Sequence, residues 1–361
     1  MSVDLLSLPF PSLRVFLEEI GVGAKHTSRV FRGLHRERLP LDQIPDLGGH
    51  ARTIAARSHI ASVSLQAVHN SADGTRRMVT MLQDGAQVES VLIPMHAGRL
   101  TLCLSTQVGC AMGCRFCATG TLKLTRHLSA GEIVAQVHAA RDLLNQEQRT
   151  LRNLVFMGMG EPLHAYHPTR DALRILLDDH GVNFGSRRVT VSTVGLTDKM
   201  RQLGTDFGGR VQLALSLHAG TDQTRQRIIP VARRYPMAAL RQACLDYPMP
   251  RRRVIMIEYV VLPGINDSDE ELDALQAWQQ GMRSVINLIP FNPFPGAPYR
   301  SPTVEEVKSV YTRLQSRRVP ATVRWPRGRD ANGACGQLAL RGAQSASKAS
   351  TSQPPDCPTF R

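Results

Sequence analysis

Cys110, Cys114 and Cys117 stand in one short loop, VGCAMGCRFCATG, and their thiolates define the chemistry open to the chain. Three thiolates at C-x3-C-x2-C spacing can hold three irons of a [4Fe–4S] cluster and leave the fourth iron without a protein ligand. Electron-transfer ferredoxins normally fill all four positions, so an open iron points to a small molecule bound there. A structural zinc site asks for four ligands, usually in paired C-x2-C or C…H groups, and is the weaker fit. A chance cluster of buried free cysteines is the plain alternative. The flanking Gly109 and Gly113, with the aromatic Phe116 before the third cysteine, weigh against it.

Other residues with chemical potential follow along the chain. GMGEP (158–162) offers Gly160, where backbone can approach a ligand closely, and Glu161, which can accept hydrogen bonds from an ammonium group. Ordinary tight turns share that composition. Ser192 in VSTVG, Ser216 and His218 in SLHA, and Asn292 in FNPFPG each fall at or just beyond the end of a strand-like run. A lone Ser or Asn there is more often a cap. Four such residues on successive strand ends, beside a cluster loop, make a stronger case for a ligand site. The cysteine loop itself resembles the signature of the radical S-adenosylmethionine (SAM) superfamily. The resemblance implies that the amino and carboxylate groups of SAM chelate the open iron. It also implies that an electron from the cluster cleaves SAM to methionine and a 5′-deoxyadenosyl radical, while the protein positions SAM and excludes water.

The elements that must position these residues are legible from periodicity. From 100 to about 326, strand-like and helix-like segments alternate: TLCLSTQV, NLVFMG (153–158), RVTVSTVG (188–195), VQLALSL (211–217), VIMIEYVVL (254–262), VINLIPF (285–291) and ATVRWP (321–326). Helices are expected over 129–146, near 167–179, and near 236–246, 267–281 and 303–316, the last capped by Thr303. Such alternation predicts an α/β fold with parallel strands and crossover helices. About six units make an incomplete parallel (β/α)6 barrel the expected architecture, with the site at the C-terminal ends of the strands. Residues 1–95 read as a small basic accessory domain. It holds short helices in LRVFLEEIG, ending at Gly21, and TSRVFRGL, capped by Thr27 or Ser28, and then a β-hairpin over 78–94 turning on Asp84-Gly85. The barrel and a C-terminal segment occupy 96–342, and the Ser/Pro/Gln-rich tail 343–361 is expected to be disordered.

Composition sets the remaining bounds. The N-terminal MSVDLLSLPFPSLRVFLEEI lacks a basic leader and a small-residue cleavage site, and no apolar run approaches the ~20 residues that span a bilayer. Seven cysteines in a chain without a secretory leader point to metal or catalytic roles in a reducing compartment. The expected address is the cytoplasm, with no membrane partner. Forty-four Lys and Arg against 30 Asp and Glu give a net charge of +14. The arginines cluster at Arg36 and Arg38, Arg76 and Arg77, Arg187 and Arg188, Arg233 and Arg234, Arg251 to Arg253, and Arg324, Arg327 and Arg329. Such a surface suits nucleic acid, with counterion release supplying affinity. A solvated surface on an arginine-rich protein explains the same count, and charge alone does not decide between them.

At the level of motifs the resemblance narrows. TLCLSTQVGCAMGCRFCATG, NLVFMGMGEPL, VTVSTVG, ALSLHA, RIIP, LIPFNPFPG and RGRDANGACGQL occur in the order and approximate spacing of the RlmN/Cfr family of radical SAM RNA methyltransferases, nearer to its RlmN-like members. The match covers roughly residues 78–340. It departs at TLKLTRHL, where the family carries a Gly-Phe-x-Arg-Asn-Leu pattern, and at Ala331 and Gly333. The resemblance implies methylation of an adenosine ring carbon, C2 favoured over C8, in rRNA or tRNA or both. It assigns Cys335 as the residue that becomes S-methylcysteine, Cys103 as the partner in a transient disulfide with it, and Glu89 as proton acceptor. SAM contacts fall on Gly160, Glu161, Ser192, Ser216, Leu217, His218 and Asn292. Two SAM molecules are used per turnover, a flavodoxin- or ferredoxin-like protein donates electrons, and a monomer is expected. A radical SAM enzyme acting on a peptide or small molecule is the alternative, against which Cys335 in ACGQL stands. A basic RNA-binding protein with a structural cluster is a third class, and three cluster cysteines rather than four argue against it. Cys244 and Cys357 receive no role.

Overall fold

A computed structural model describes residues 2–340 of the chain. The expected disordered tail, with Cys357, lies outside the described residues. Strands β1 (Val3–Asp4) and β2 (Ser58–His59) form a small parallel pair. The antiparallel strands β3 (Ser64–Asn70), β4 (Arg76–Met81) and β5 (Gln87–Pro94) lead into β6 (Leu100–Cys103). After the short pair β7 (Gln107–Val108) and β8 (Arg126–His127), the parallel strands follow. They are β9 (Leu151–Phe156), β10 (Val189–Thr193), β11 (Gln212–Ser216), β12 (Ile255–Val261), β13 (Ser284–Pro290) and β14 (Ala321–Val323). One ten-stranded sheet runs in the order β14-β13-β12-β11-β10-β9-β6-β5-β4-β3. Every pairing from β6 to β14 is parallel. The expected parallel (β/α) architecture is present, and the hairpin strands extend its sheet across the expected boundary at 95 without interruption.

Local chemistry explains most element ends. The helix α1 (Phe10–Glu19) stops before Gly21, whose φ of +76° suits glycine alone among common residues. The hairpin turns at Asp84-Gly85: the Asp84 carboxylate accepts from Ala86 N at 3.1 Å and Gly85 has φ +83°. The helix α2 (Thr27–Arg32) differs from expectation. Thr27 is its first residue and donates its hydroxyl to Ala24 O at 2.8 Å, so neither Thr27 nor Ser28 caps it. The helix α3 (His50–Ala55) precedes β2. Capping boxes open α4 (Ala130–Asn145), through Ser129 and Glu132, and α10 (Val304–Ser316), through Thr303 and Glu306.

Between these lie α5 (Tyr166–Leu177), α6 (Thr197–Phe207), α7 (Asp222–Ile228), α8 (Met237–Asp246) and α9 (Asp269–Gln279). Two of them, α6 and α7, fall where the spacing predicts no helix. Gly204 inside α6 lowers its helical propensity, yet a Cβ there would stand 2.7 Å from Pro248 Cδ, so close packing requires the glycine. The helix α7 spans 7 residues, too few to show a periodic face.

The N-terminal segment is fixed to the barrel rather than tethered. Ser7 Oγ accepts from Gly131 N at 2.8 Å, and a Cβ on Gly131 would lie 2.1 Å from the Asp4 carboxylate. Arg141 on α4 donates to His35 O at 3.0 Å. On the opposite flank Arg225 of α7 is fully buried and holds three loops by their carbonyls: Leu217 O at 3.2 Å, Tyr235 O at 3.2 Å and Val194 O at 2.5 Å. Two of those carbonyls close the ends of β10 and β11. Truncation leaves buried acceptors unpaired, at about 1–3 kcal/mol each. Arg225→Ala is therefore expected to lose about 3 kcal/mol or more in anaerobic urea unfolding; a loss below about 1 kcal/mol would contradict this role.

Candidate active site

The strands β9 to β13 end around one cavity, and the cysteine loop closes it from one side. The loop is held open by β7 and β8 and by glycines that nothing else can replace. Gly109 has φ +81°, and a Cβ on it would lie 2.0 Å from Lys123 O; a Cβ on Gly120 would lie 2.5 Å from Cys114 O. Cys110, Cys114 and Cys117 are free thiols that all line the cavity. Burial pushes the Cys110 thiol up to about 12, raises Cys114 well above its ordinary value, and raises Cys117. Backbone N–H groups oppose the shift: that of Met112 on Cys110, and those of Gly120 and Thr119 on Cys117. Backbone N–H groups aimed at two of the sulfurs, and the Arg225 charge acting on Cys114, favour thiolates at the site.

Opposite the loop, GMGEP brings in Glu161. Its two carboxylate oxygens accept from Leu163 N at 3.0 Å and Val194 N at 2.9 Å, which joins the ends of β9 and β10. Its own N–H donates to Gln107 at 2.8 Å, and Gly160, at φ +100°, leaves no room for a Cβ beside Gln107. Burial raises the Glu161 carboxyl to about 7 against the pull of those N–H groups. Ser192 and Ser216 face each other, Oγ to Oγ, at 3.3 Å. His218 adopts φ +61°; its Nδ1 accepts from Val260 N at 2.9 Å, so the proton sits on Nε2, and burial lowers the ring to about 3. The edge of the Phe116 ring meets it at 4.6 Å.

The last wall is the segment 328–340, which carries Cys335. Asn292 Nδ2 donates to Cys335 O at 3.0 Å, Ala118 N donates to Gly336 O at 2.7 Å, and Thr119 donates to Leu338 O at 2.6 Å. Asp73 accepts from Gly328 N and Asp330 accepts from Ala72 N, each at 2.9 Å. Arg77 Nε donates to Ala331 O at 2.7 Å, and the same guanidinium is ion-paired with Glu89. The remaining Glu89 oxygen accepts from Ala339 N and Leu340 N at 2.9 and 3.1 Å. Cys335 is exposed and lines the cavity, while Cys103, at the end of β6, is buried and lines it too. Dense surroundings push the Cys103 thiol up to about 12, with the Cys335 sulfur adding to burial, and Cys335 up to about 11.

The cavity thus gathers Cys103, Cys110, Cys114, Cys117, Gly160, Glu161, Ser192, Ser216, His218, Asn292 and Cys335. Two expected residues are not on its lining. Leu217 points into the core, with only its backbone engaged, to Glu258 O and Arg225. Glu89 lies behind the wall, 1% exposed, with both oxygens committed. Glu258 and Arg324 line the cavity without having been singled out as site residues. The available signal was a lone acid in the otherwise apolar strand IMIEYVV.

Comparison with known proteins fits this geometry. The Radical SAM superfamily pattern matches residues 104–275. "Dual-specificity RNA methyltransferase RlmN" from Pelobacter propionicus is 42% identical over 93% of this chain and 95% of its own. The protein of that name from Anaeromyxobacter dehalogenans is 43% identical, over 94% and 92%. The chain belongs to the RlmN family. A solved radical SAM methyltransferase from Sphaerobacter thermophilus superposes with a TM-score of 0.86 at 40% identity, covering 93% of this chain and 99% of that one.

Membership in the RlmN family implies a [4Fe–4S] cluster and SAM, and the residues fit both. Among the described residues no three His, Cys, Asp or Glu side chains converge as a single ion requires. A cluster takes one thiolate per iron and asks for no such convergence. Across the cavity, Glu161 offers a carboxylate held by backbone donors. For the apo protein the sign of its linkage follows from a folded value of about 7 against an ordinary 4.5. The folded state holds the proton more tightly, so this stabilisation is complete below about pH 4.5 and is lost as pH rises through about 7. Relative to wild type, Glu161→Gln is expected to gain stability progressively over that window in urea titrations of apo protein. A wild-type-to-variant difference independent of pH would contradict the raised carboxyl.

Proposed function

We propose that this chain methylates a ring carbon of an adenosine in RNA, C2 favoured over C8, in rRNA or tRNA or both, through a methyl group carried on Cys335. The placement of both Cys103 and Cys335 on the lining of the cavity that the cysteine loop closes, with Cys335 near enough to act on the Cys103 thiol, carries this reading. The names of the relatives, RNA methyltransferases, and the charge of +14 support the substrate class.

Cys110, Cys114 and Cys117 hold three irons of the cluster, and Glu161 receives the ammonium group of SAM. Gly160, Ser192, Ser216, His218, Asn292 and the Leu217 backbone complete its contacts. When bound, cluster and SAM supply a carbon-centred radical able to take hydrogen from a methyl group. An adenine carbon is too weak a nucleophile for direct displacement on SAM, so Cys335 takes up the methyl first. After loss of one hydrogen its methylene carbon adds to the ring, which then gives up its C–H proton to Glu89 and one electron, which the bound cluster would take back. Cys103 then attacks the Cys335 sulfur; the carbon–sulfur bond breaks, the methylene carbon takes up a proton to become the methyl group of the released base, and a disulfide remains. Two SAM molecules are consumed per turnover, and a small redox protein returns the electrons.

Glu89 serves as proton acceptor once its carboxylate leaves Arg77, Ala339 and Leu340. The target base must be unstacked and extruded to enter, which costs a few kcal/mol offset by backbone contacts.

The mechanism separates radical generation from methyl transfer. Cys335→Ala is expected to assemble its cluster and bind SAM, yet to transfer no methyl group to RNA. Cys103→Ala is expected to stall later, with RNA attached to Cys335, visible as a slow-migrating, ribonuclease-sensitive band on a denaturing gel. Full methylation by Cys335→Ala, with no adduct in Cys103→Ala, would refute the two-cysteine route.

A further inference from the structure

One charged group on the cavity wall has no task in the account above. Glu258 sits on β12, 3% exposed, in register with Ser216 of β11 on one side and Asn287 of β13 on the other. Its Oε2 accepts from Asn287 Nδ2 at 2.7 Å. Its Oε1 is buried and has no partner. An unpaired carboxylate oxygen in a low-dielectric wall is costly, and native structures hold few of them. On a residue that lines a ligand cavity, such an oxygen is instead an acceptor awaiting a donor.

Arg324 follows β14 and lines the same cavity; burial raises the Glu258 carboxyl and the Cys335 thiol, and the Arg324 charge opposes both shifts. Among the described residues its guanidinium makes one hydrogen bond, to Met157 Sδ at 3.7 Å, which leaves most of its donors free. A free acceptor and free donors therefore line one cavity with the Cys335 sulfur.

We propose that Glu258 and Arg324 are the base-reading pair of this cavity: Glu258 Oε1 accepts a hydrogen bond from the exocyclic amine of the target adenine, and Arg324 donates to the neighbouring ring nitrogen. The inference rests on the adenosine reading above and adds how the base is told from other purines. Both hydrogen-bonding edges of adenine place that amine beside a ring acceptor, which matches an acceptor next to a donor. Guanine carries a carbonyl oxygen at the same position. Facing Glu258, it sets two acceptors against each other and leaves both without a donor.

SAM carries the same 6-aminopurine, so the test must separate the two sources. Full-length, cluster-reconstituted protein is assayed on a synthetic RNA stem-loop whose target position holds either adenosine or purine riboside, which lacks the amine. Wild type is expected to prefer adenosine by roughly 10- to 100-fold in kcat/KM, as befits one buried charge-assisted hydrogen bond. In Glu258→Ala that preference should collapse to within about 3-fold, while KM for SAM and RNA-independent SAM cleavage stay near wild type. Glu258→Gln keeps the volume and removes the charge. It should lower the preference as well, and it decides the matter if the alanine variant does not hold its cluster. A retained preference, or a defect confined to KM for SAM, would overturn the assignment. Wild type that methylates neither RNA would instead remove the adenosine reading itself.

Discussion

The buried ion pair between Arg77 and Glu89 gives the cavity its fourth wall. Arg77 and Glu89 stand opposite each other's neighbours on β4 and β5, and together they bind both ends of a loop more than 240 residues away in sequence: Ala331 at one end, Ala339 and Leu340 at the other. A buried pair of this kind adds little net stability, since desolvation consumes most of the Coulomb gain, but losing one partner costs about 3–5 kcal/mol. The pair therefore acts as a register device. It allows one docking of the Cys335 segment and penalises the rest. Extending the parallel sheet with three antiparallel strands is what brings the pair to the cavity's edge.

Further inside, buried polar groups serve the fold and the site together. Arg225 closes the ends of β10 and β11 through carbonyls. Glu161 joins β9 to β10 through N–H groups. Asn292 holds Cys335 O. The first two satisfy backbone groups that a parallel sheet leaves open at its C-terminal edge, where helices begin and loops converge, and the third ties the last segment to that edge. The proposed ligand contacts are thus built on groups already held in place, which would limit the entropy lost on binding.

Much of this was legible from residues alone. The cysteine loop, the parallel alternation and the cap at Thr303 carry local signals, and the structure forms those elements. Contacts between distant segments carry none. Nothing near Glu89 in sequence announces that Arg77 and two N–H groups of the last segment will claim its carboxylate, and nothing near Leu217 shows that only its backbone faces a partner. Helices α6 and α7 escaped notice because Gly204 and short length mask their periodicity, although tertiary packing holds both. Glu258 had a signal, a single acid inside a strand with both faces covered, whose weight became apparent once its oxygen was seen without a donor.

Methyl carriage by Cys335 is the claim on which the functional account turns, and peptide mass spectrometry reads it without any substitution. Reconstituted protein is incubated anaerobically with a reductant and SAM bearing a deuterated methyl group, then digested. The account predicts label on the peptide containing Cys335 and none on those containing Cys103, Cys110, Cys114, Cys117 or Cys244. Labelled RNA produced by protein whose Cys335 peptide never carries the methyl group would contradict it.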